Sequence, residues 1–321
     1  MGVWRIGVDE LARSRFAMSA FTETVAALAV LAGVHRNPGL HDWARAHRPA
    51  YREMVDSDPF AAAFVAAVYR PRWISDLVTV PPRPGDRTFY DELRRIRETP
   101  ATLAHRQLAK DGRLPRALRV PDVAERSAKL LEWVWTQTVR ADWPRRRRVF
   151  EADIVSRTQR LAAEGWAGAL DHMRPGMRWL GDGRLQINTY DYPPRDLSDA
   201  DLAFVPCTSG RGWVAWDQRR RYAIMYPCTG MLADAAGPAP PGALERLIGP
   251  ARAGILVQLG EPRSTSQLVA STGYVLGSVG RHLKVLLDAE LVQRRRAGRS
   301  VLYYRTRLGD QLANRSGPRR H

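Results

Sequence analysis

Lysine is almost missing from this chain. Only Lys110, Lys129 and Lys284 occur, so 47 of the 50 basic residues are arginine. That skew, beside abundant Ala, Gly and Pro, has the look of high-GC coding, so the net charge of +17 does not by itself signal binding. Cysteine is scarce as well. Cys207 and Cys228 lie 21 residues apart without a Cys-x-x-Cys or an adjacent His. That pattern excludes a disulfide framework and argues against structural zinc. Long apolar runs are absent: the longest, Thr24 to Val34, is too short to span a bilayer, and no cationic start precedes a signal-like core. A cytoplasmic protein is expected. Catalytic signatures are missing too, with no Gly-x-Ser-x-Gly, Walker loop, His-Glu-x-x-His or dinucleotide fingerprint. No nucleophile–base pair is recognisable, and Asp199 and Asp201 read as loop solubility. The expectation is a non-enzyme with no cofactor and no metal.

What is present is charge in one place. From residue 241 onward there are 14 basic and 5 acidic residues, a net of +9 in 81, whereas the preceding 240 carry +8. Charge density is thus about three times higher at the C-terminal end, which suits a polyanionic partner.

The chain before it changes period once. Residues 1–175 read as a mostly helical effector or dimerisation domain, with helical patterns at Trp43 to Val55, Pro59 to Tyr69, Phe89 to Arg97, Pro121 to Val139 and from Pro144 onward. Residues 176–234 turn to alternation. Arg184 to Tyr190, Leu202 to Pro206, Gly212 to Trp216 and Tyr222 to Tyr226 predict a small antiparallel β-unit. Residues 235–242 form a Gly/Pro linker, 243–310 a compact C-terminal domain and 311–321 a basic tail. The expected fold is mainly α with small β elements. Trp133, Trp135, Trp143, Trp166, Trp179, Trp213 and Trp216 suit either a small-molecule pocket or core packing. Arg145 to Arg148, at a helix start, suit either phosphate contacts or a solvated, acid-paired surface.

The C-terminal domain carries the sharpest signal. Leu244, Leu247, Ile248, Ile255 and Leu259 predict one helix, Leu244 to Leu259. Ser264-Thr-Ser-Gln267 predicts a capping box and Gly273 a left-handed stop for the next. Val279, Leu283 and Leu286 stripe a third helix, Val275 to Ala289. Two strand-like runs then flank Ala297-Gly298, a hairpin turn. Two helices joined by a Gly-containing turn, with a basic hairpin appended, make a winged helix-turn-helix. The residues Gly280-Arg-His-Leu-Lys-Val-Leu-Leu-Asp-Ala-Glu-Leu-Val292 and Arg294-Arg-Arg-Ala-Gly-Arg-Ser-Val-Leu-Tyr-Tyr304 resemble the recognition helix and wing of ArsR-type transcriptional regulators. The chain departs from that pattern at Gly280 (usually Ser), Glu290 (usually Gly) and Val275-Leu276 (usually Ser-Pro). The likeness covers about 65 residues; before them only the order of parts is similar to longer members of the family.

The resemblance implies a repressor that binds double-stranded operator DNA as a homodimer, with a small-molecule effector as a further partner. The candidate DNA-binding residues are Thr265, Gly277, Ser278, Arg281, His282, Lys284, Arg295, Arg296 and Arg299. Arg281 suits a bidentate guanine contact, and Ser278 and Lys284 suit phosphate or base. His282 suits either a phosphate or packing at the helix–wing junction. The helix on which many ArsR-type repressors bind metal reads Thr265-Ser-Gln-Leu-Val-Ala-Ser-Thr272 here, without Cys, His or carboxylate. Two other readings stay open: a protein-interaction winged helix without DNA binding, and an enzyme centred on the Trp-rich region.

Overall fold

The computed structural model describes residues 2–109, 112–171, 173–218, 220–228, 240–297 and 300–314. The expected linker up to residue 239, the hairpin tip Gly298-Arg299 and the tail from residue 315 lie outside them. The chain divides into two compact units, one of Met1–Trp143 with Arg157–Cys228 and one of Pro144–Ser156 with Thr229–His321. Among the described residues 54% are helix and 17% strand, in four sheets, so the fold is mixed α/β, which corrects the expectation of a mainly α chain with small β elements.

The helices of the first unit are α1 (Val8–Arg13), α2 (Ala20–Leu31), α3 (His41–Ser57), α4 (Pro59–Val68), α5 (Phe89–Arg97), α6 (Ala101–Leu108) and α7 (Val123–Val134). Helix α8 (Trp143–Leu170) breaks at Gly165, whose φ of 68° no other residue type adopts as cheaply. Its Pro144–Ser156 segment groups with the second unit. The strands are β1 (Val3–Arg5), β2 (Arg15–Phe16), β3 (Tyr69–Arg70), β4 (Trp73–Ile74), β5 (Arg178–Gly181), β6 (Arg184–Gln186), β7 (Arg195–Asp196), β8 (Asp201–Cys207), β9 (Trp213–Asp217) and β10 (Arg221–Pro227).

Three of the expected strands are β8, β9 and β10, and the one expected from Arg184 to Tyr190 stops at Gln186, but they do not form a separate antiparallel unit. One sheet has the order β5-β6-β1-β7 and another β2-β8-β10-β9, so both recruit a strand from the N-terminus. Strands β8 and β10 run parallel, as do β2 and β8. The physical reason lies in Leu202 to Cys207 and Tyr222 to Tyr226. They are buried on both faces, as a central strand requires, and do not alternate with polar residues. Ala203, Val205, Cys207, Ala223 and Met225 face one core and Leu202, Phe204, Tyr222, Ile224 and Tyr226 the other. Residues 1–175 and 176–228 therefore share their cores.

The second unit is built from α9 (Gly242–Ile248), α10 (Pro250–Gln258), β11 (Arg263–Ser264), α11 (Thr265–Thr272), α12 (Leu276–Asp288), β12 (Val292–Ala297), β13 (Ser300–Arg305) and α13 (Arg307–Asn314). The single helix expected from Leu244 to Leu259 is two. Gly249 takes φ 82°, ψ 153°, because the ring of Pro250 pushes the residue before it out of the helical region. Strands β11, β13 and β12 form a three-stranded antiparallel sheet. Leu244, Ala253, Ile255, Leu256, Leu268, Val279, Leu283 and Leu286 fill the core, joined by Ala152 of α8. Among the described residues no helix is long and apolar enough to cross a membrane.

Candidate nucleic-acid interface

The turn between α11 and α12 is fixed by local chemistry. Ser264 caps α11, its Oγ accepting from Gln267 N–H at 3.2 Å while Gln267 Oε1 accepts from Ser264 N–H at 2.7 Å. Gly273 ends the helix with φ 74° and donates its N–H to Val269 O. Thr272 Oγ1 accepts from Tyr274 N–H at 3.3 Å, leading the chain into α12.

Helix α12 buries Val279, Leu283 and Leu286. At 100° per residue the opposite face is Gly277, Arg281, Lys284 and Asp288, flanked by Gly280 and Val285, and all six are exposed. Among the described residues, a Cβ added at Gly277 or Gly280 would meet nothing within 4 Å. Neither glycine has a positive φ, so nothing inside the protein requires glycine there. Each costs the helix about 1 kcal/mol against alanine.

Ser278 and His282 come together on the flank of this face, with Ser278 Oγ 3.3 Å from His282 Nε2 and the Tyr274 ring 6.1 Å from the imidazole. Partial burial, then the charges of Arg252 and Arg281, hold the imidazole below its ordinary pKa. A neutral His282 engaged with Ser278 is a weaker phosphate partner than a cation. Thr265, half-buried, opens α11 beside the sheet, where Ser264 pairs with Leu302.

On β12, Arg294, Arg295 and Arg296 are all exposed, opposite Tyr303, Leu302 and Val301 of β13. Strand alternation sends Arg295 to one face and Arg294 and Arg296 to the other. Arg299 lies outside the described residues. Arg294 was not among the expected contacts, although its place in the same basic run marked it. Two acids lie at the end of α12: Asp288, its last residue, is exposed, and Glu290 beyond it takes φ 54° at the position where the ArsR-type pattern has Gly.

In the run Arg145 to Arg148, Arg147 takes the expected acid-paired place at the surface, and Arg145 and Arg146 do not. Arg146 is fully buried. Arg145 Nε donates to Ala270 O at 3.1 Å, a cation at the C-terminal end of α11, where the helix dipole favours it. Arg147 pairs with Glu151 at 2.9 Å. The tryptophans likewise divide between two cores, with Trp133, Trp135, Trp143 and Trp213 on one and Trp166, Trp179 and Trp216 on the other. That is packing: Trp135 stacks on Phe89 at 4.9 Å, and Trp166 sits 5.6 Å from Phe204.

One contact in the first unit had no signal in the sequence. Ser209 Oγ lies 2.6 Å from His35 Nδ1, across 174 residues. Beside it the fully buried Glu23 accepts from Thr208 N–H at 2.9 Å and Thr208 Oγ1 at 2.6 Å, and Asn37 Nδ2 donates to Thr208 O. Among the described residues no group of three or more His, Cys, Asp or Glu is placed to hold a metal ion. No family model, curated protein or solved structure matches this chain.

Proposed function

We propose that the chain is a cytoplasmic, sequence-specific DNA-binding transcriptional regulator, acting through α12 in the major groove and the β12–β13 hairpin beside it. The observation that carries this reading is the exposed face of α12. It puts Arg281 and Lys284 at its centre between bare glycines, next to a strand bearing three exposed arginines. Cations there neutralise phosphates, and a guanidinium at the groove floor reads guanine. The resemblance to ArsR-type regulators points the same way and adds a homodimer on paired half-sites, repressing by occupying an operator until a small-molecule effector releases it.

A gel shift of the protein on its own upstream region tests this. Retention well above that on random competitor is expected, with Arg281→Ala losing about 1–3 kcal/mol on the specific site. Equal retention on both DNAs would refute it.

The contact between Ser209 and His35 favours a second reading, an enzyme with a serine nucleophile. Against it, Ser209 is fully buried and its Oγ also accepts from Arg211 N–H at 3.5 Å, the geometry of a serine fixing its own turn.

A further inference from the structure

Helix α12 begins on Val275, which holds the N-cap with φ −69° and ψ 153°. Valine is among the poorest residues there, because it has no side-chain atom to accept from the open N–H groups of a first turn. The neighbouring α11 opens on Ser264 with a full capping box, so the same domain uses the favoured chemistry one helix earlier. Burial does not explain the valine either, since it is 64% exposed. An exposed valine alone is ordinary, but at this position it forgoes both a cap and a place in the core.

The backbone around it is fixed. Gly273 N–H donates to Val269 O at 3.1 Å and Tyr274 N–H to Thr272 Oγ1 at 3.3 Å, while Val275 O accepts from Ser278 N–H at 3.0 Å and Val279 N–H at 3.1 Å. A β-branched side chain on such a backbone has few rotamers to lose on meeting a partner. Ser278 and His282 engage each other, and the Tyr274 ring lies by the imidazole. Gly277 offers no side chain, and Arg281 stays exposed. No acidic residue occurs between Glu261 and Asp288, whereas Arg263, Arg281 and Lys284 do. The surface to which Val275 belongs is therefore cationic, and a polyanion suits it better than an apolar or basic protein face.

One polyanion offers a valine something specific. The apolar group that base edges present in the major groove is the C5-methyl of thymine, and residues at the N-terminal end of a recognition helix are the ones that contact base edges. We infer that Val275 determines specificity by packing on the C5-methyl of a thymine, with the bare Gly277 letting α12 approach closely enough for that contact. This rests on the DNA-binding reading and adds the kind of site, a T·A pair close to the guanine contacted by Arg281. Six residues of chain separate Val275 from Arg281, about 9 Å of helix, so the thymine lies within about three base pairs of that guanine.

The test starts from a randomised duplex library. The full chain enriches its preferred sequence, and each thymine of that sequence is then replaced by deoxyuridine, which removes only the methyl. Fluorescence anisotropy should show at least one such replacement lowering affinity about fourfold, the worth of one buried methyl. Val275→Ala should bind the thymine and uracil duplexes alike. Val285→Ala, which removes an exposed valine further along α12, should still tell them apart. Val275→Ser should melt above the wild type, because it restores an N-cap, and should also lose the discrimination. An enriched sequence in which no uracil replacement matters, or a Val275→Ala that keeps the discrimination, overturns the inference and leaves the DNA-binding reading standing. A Val275→Ser that melts below the wild type does the same, since the valine would then serve the fold. Failure to enrich any sequence overturns both.

Discussion

Two arginine runs lie in the same unit, Arg145 to Arg148 on a helix and Arg294 to Arg296 on a strand, and they have opposite fates. The helix turns each residue by 100°, so of four arginines one is buried, one bonds a helix-end carbonyl, one pairs with an acid and Arg148 is half-buried. The strand offers only two directions at the edge of a small sheet, and all three arginines stay exposed. Identical composition thus builds scaffold in one place and leaves an exposed cationic strand in the other. Net charge does not separate the two; backbone geometry does.

The widest gap should appear in stability. Arg146→Ala removes a fully buried guanidinium and is expected to cost about 3 kcal/mol in urea unfolding, whereas Arg295→Ala should stay within about 0.5 kcal/mol. Equal losses would erase the distinction between the runs.

Burial should govern acids in the same way. Glu92 in α5 is almost wholly buried, and burial raises its pKa from 4.5 to about 8 against the bonds from Ser19. Between those values the folded chain holds a proton that the unfolded chain has released. Stability should therefore fall as pH rises from 4.5 toward 8, by at most about 1.4 kcal/mol per pH unit, and the effect should vanish below 4.5. Chemical denaturation across that range should show the slope in the wild type and its loss in Glu92→Gln.

The smallest effects belong to the exposed face itself. Glu290→Gly should stabilise by about 1 kcal/mol, because glycine takes φ 54° without strain. Gly280→Ala should stabilise by about 0.5–1 kcal/mol, since an added Cβ meets nothing. If Gly280→Ala also weakens DNA binding, the glycine is kept for close approach to the groove. Stabilisation with unchanged binding would leave it without a role at that surface.

Features set by neighbours in sequence were legible. The capping box at Ser264 and Gln267, the stop at Gly273 and the stripe of Val279, Leu283 and Leu286 all depend on residues a turn apart. The break at Gly249-Pro250 was written in the same local terms and was passed over. Strand positions were legible as well, but pairing was not. Nothing near Val3 to Arg5 announces a partner at Arg184 to Gln186, and the parallel pairing of β8 with β10 is signalled only by apolar runs that fail to alternate. Arg146 did leave a trace: with Phe150 and Asp153 it lies at i, i+4 and i+7, one buried face of α8. The contact of Ser209 with His35 left none.

The central claim is that the exposed cations of α12 and β12 meet the phosphates and bases of a duplex. Fluorescence anisotropy of labelled duplex DNA at increasing salt tests it most directly. The account predicts that log affinity falls linearly with log salt, and that the slope drops by about one for each of Arg294, Arg295 and Lys284 replaced by Gln, while Arg145→Gln leaves it unchanged. A flat salt dependence, or a slope that these replacements do not move, would contradict it.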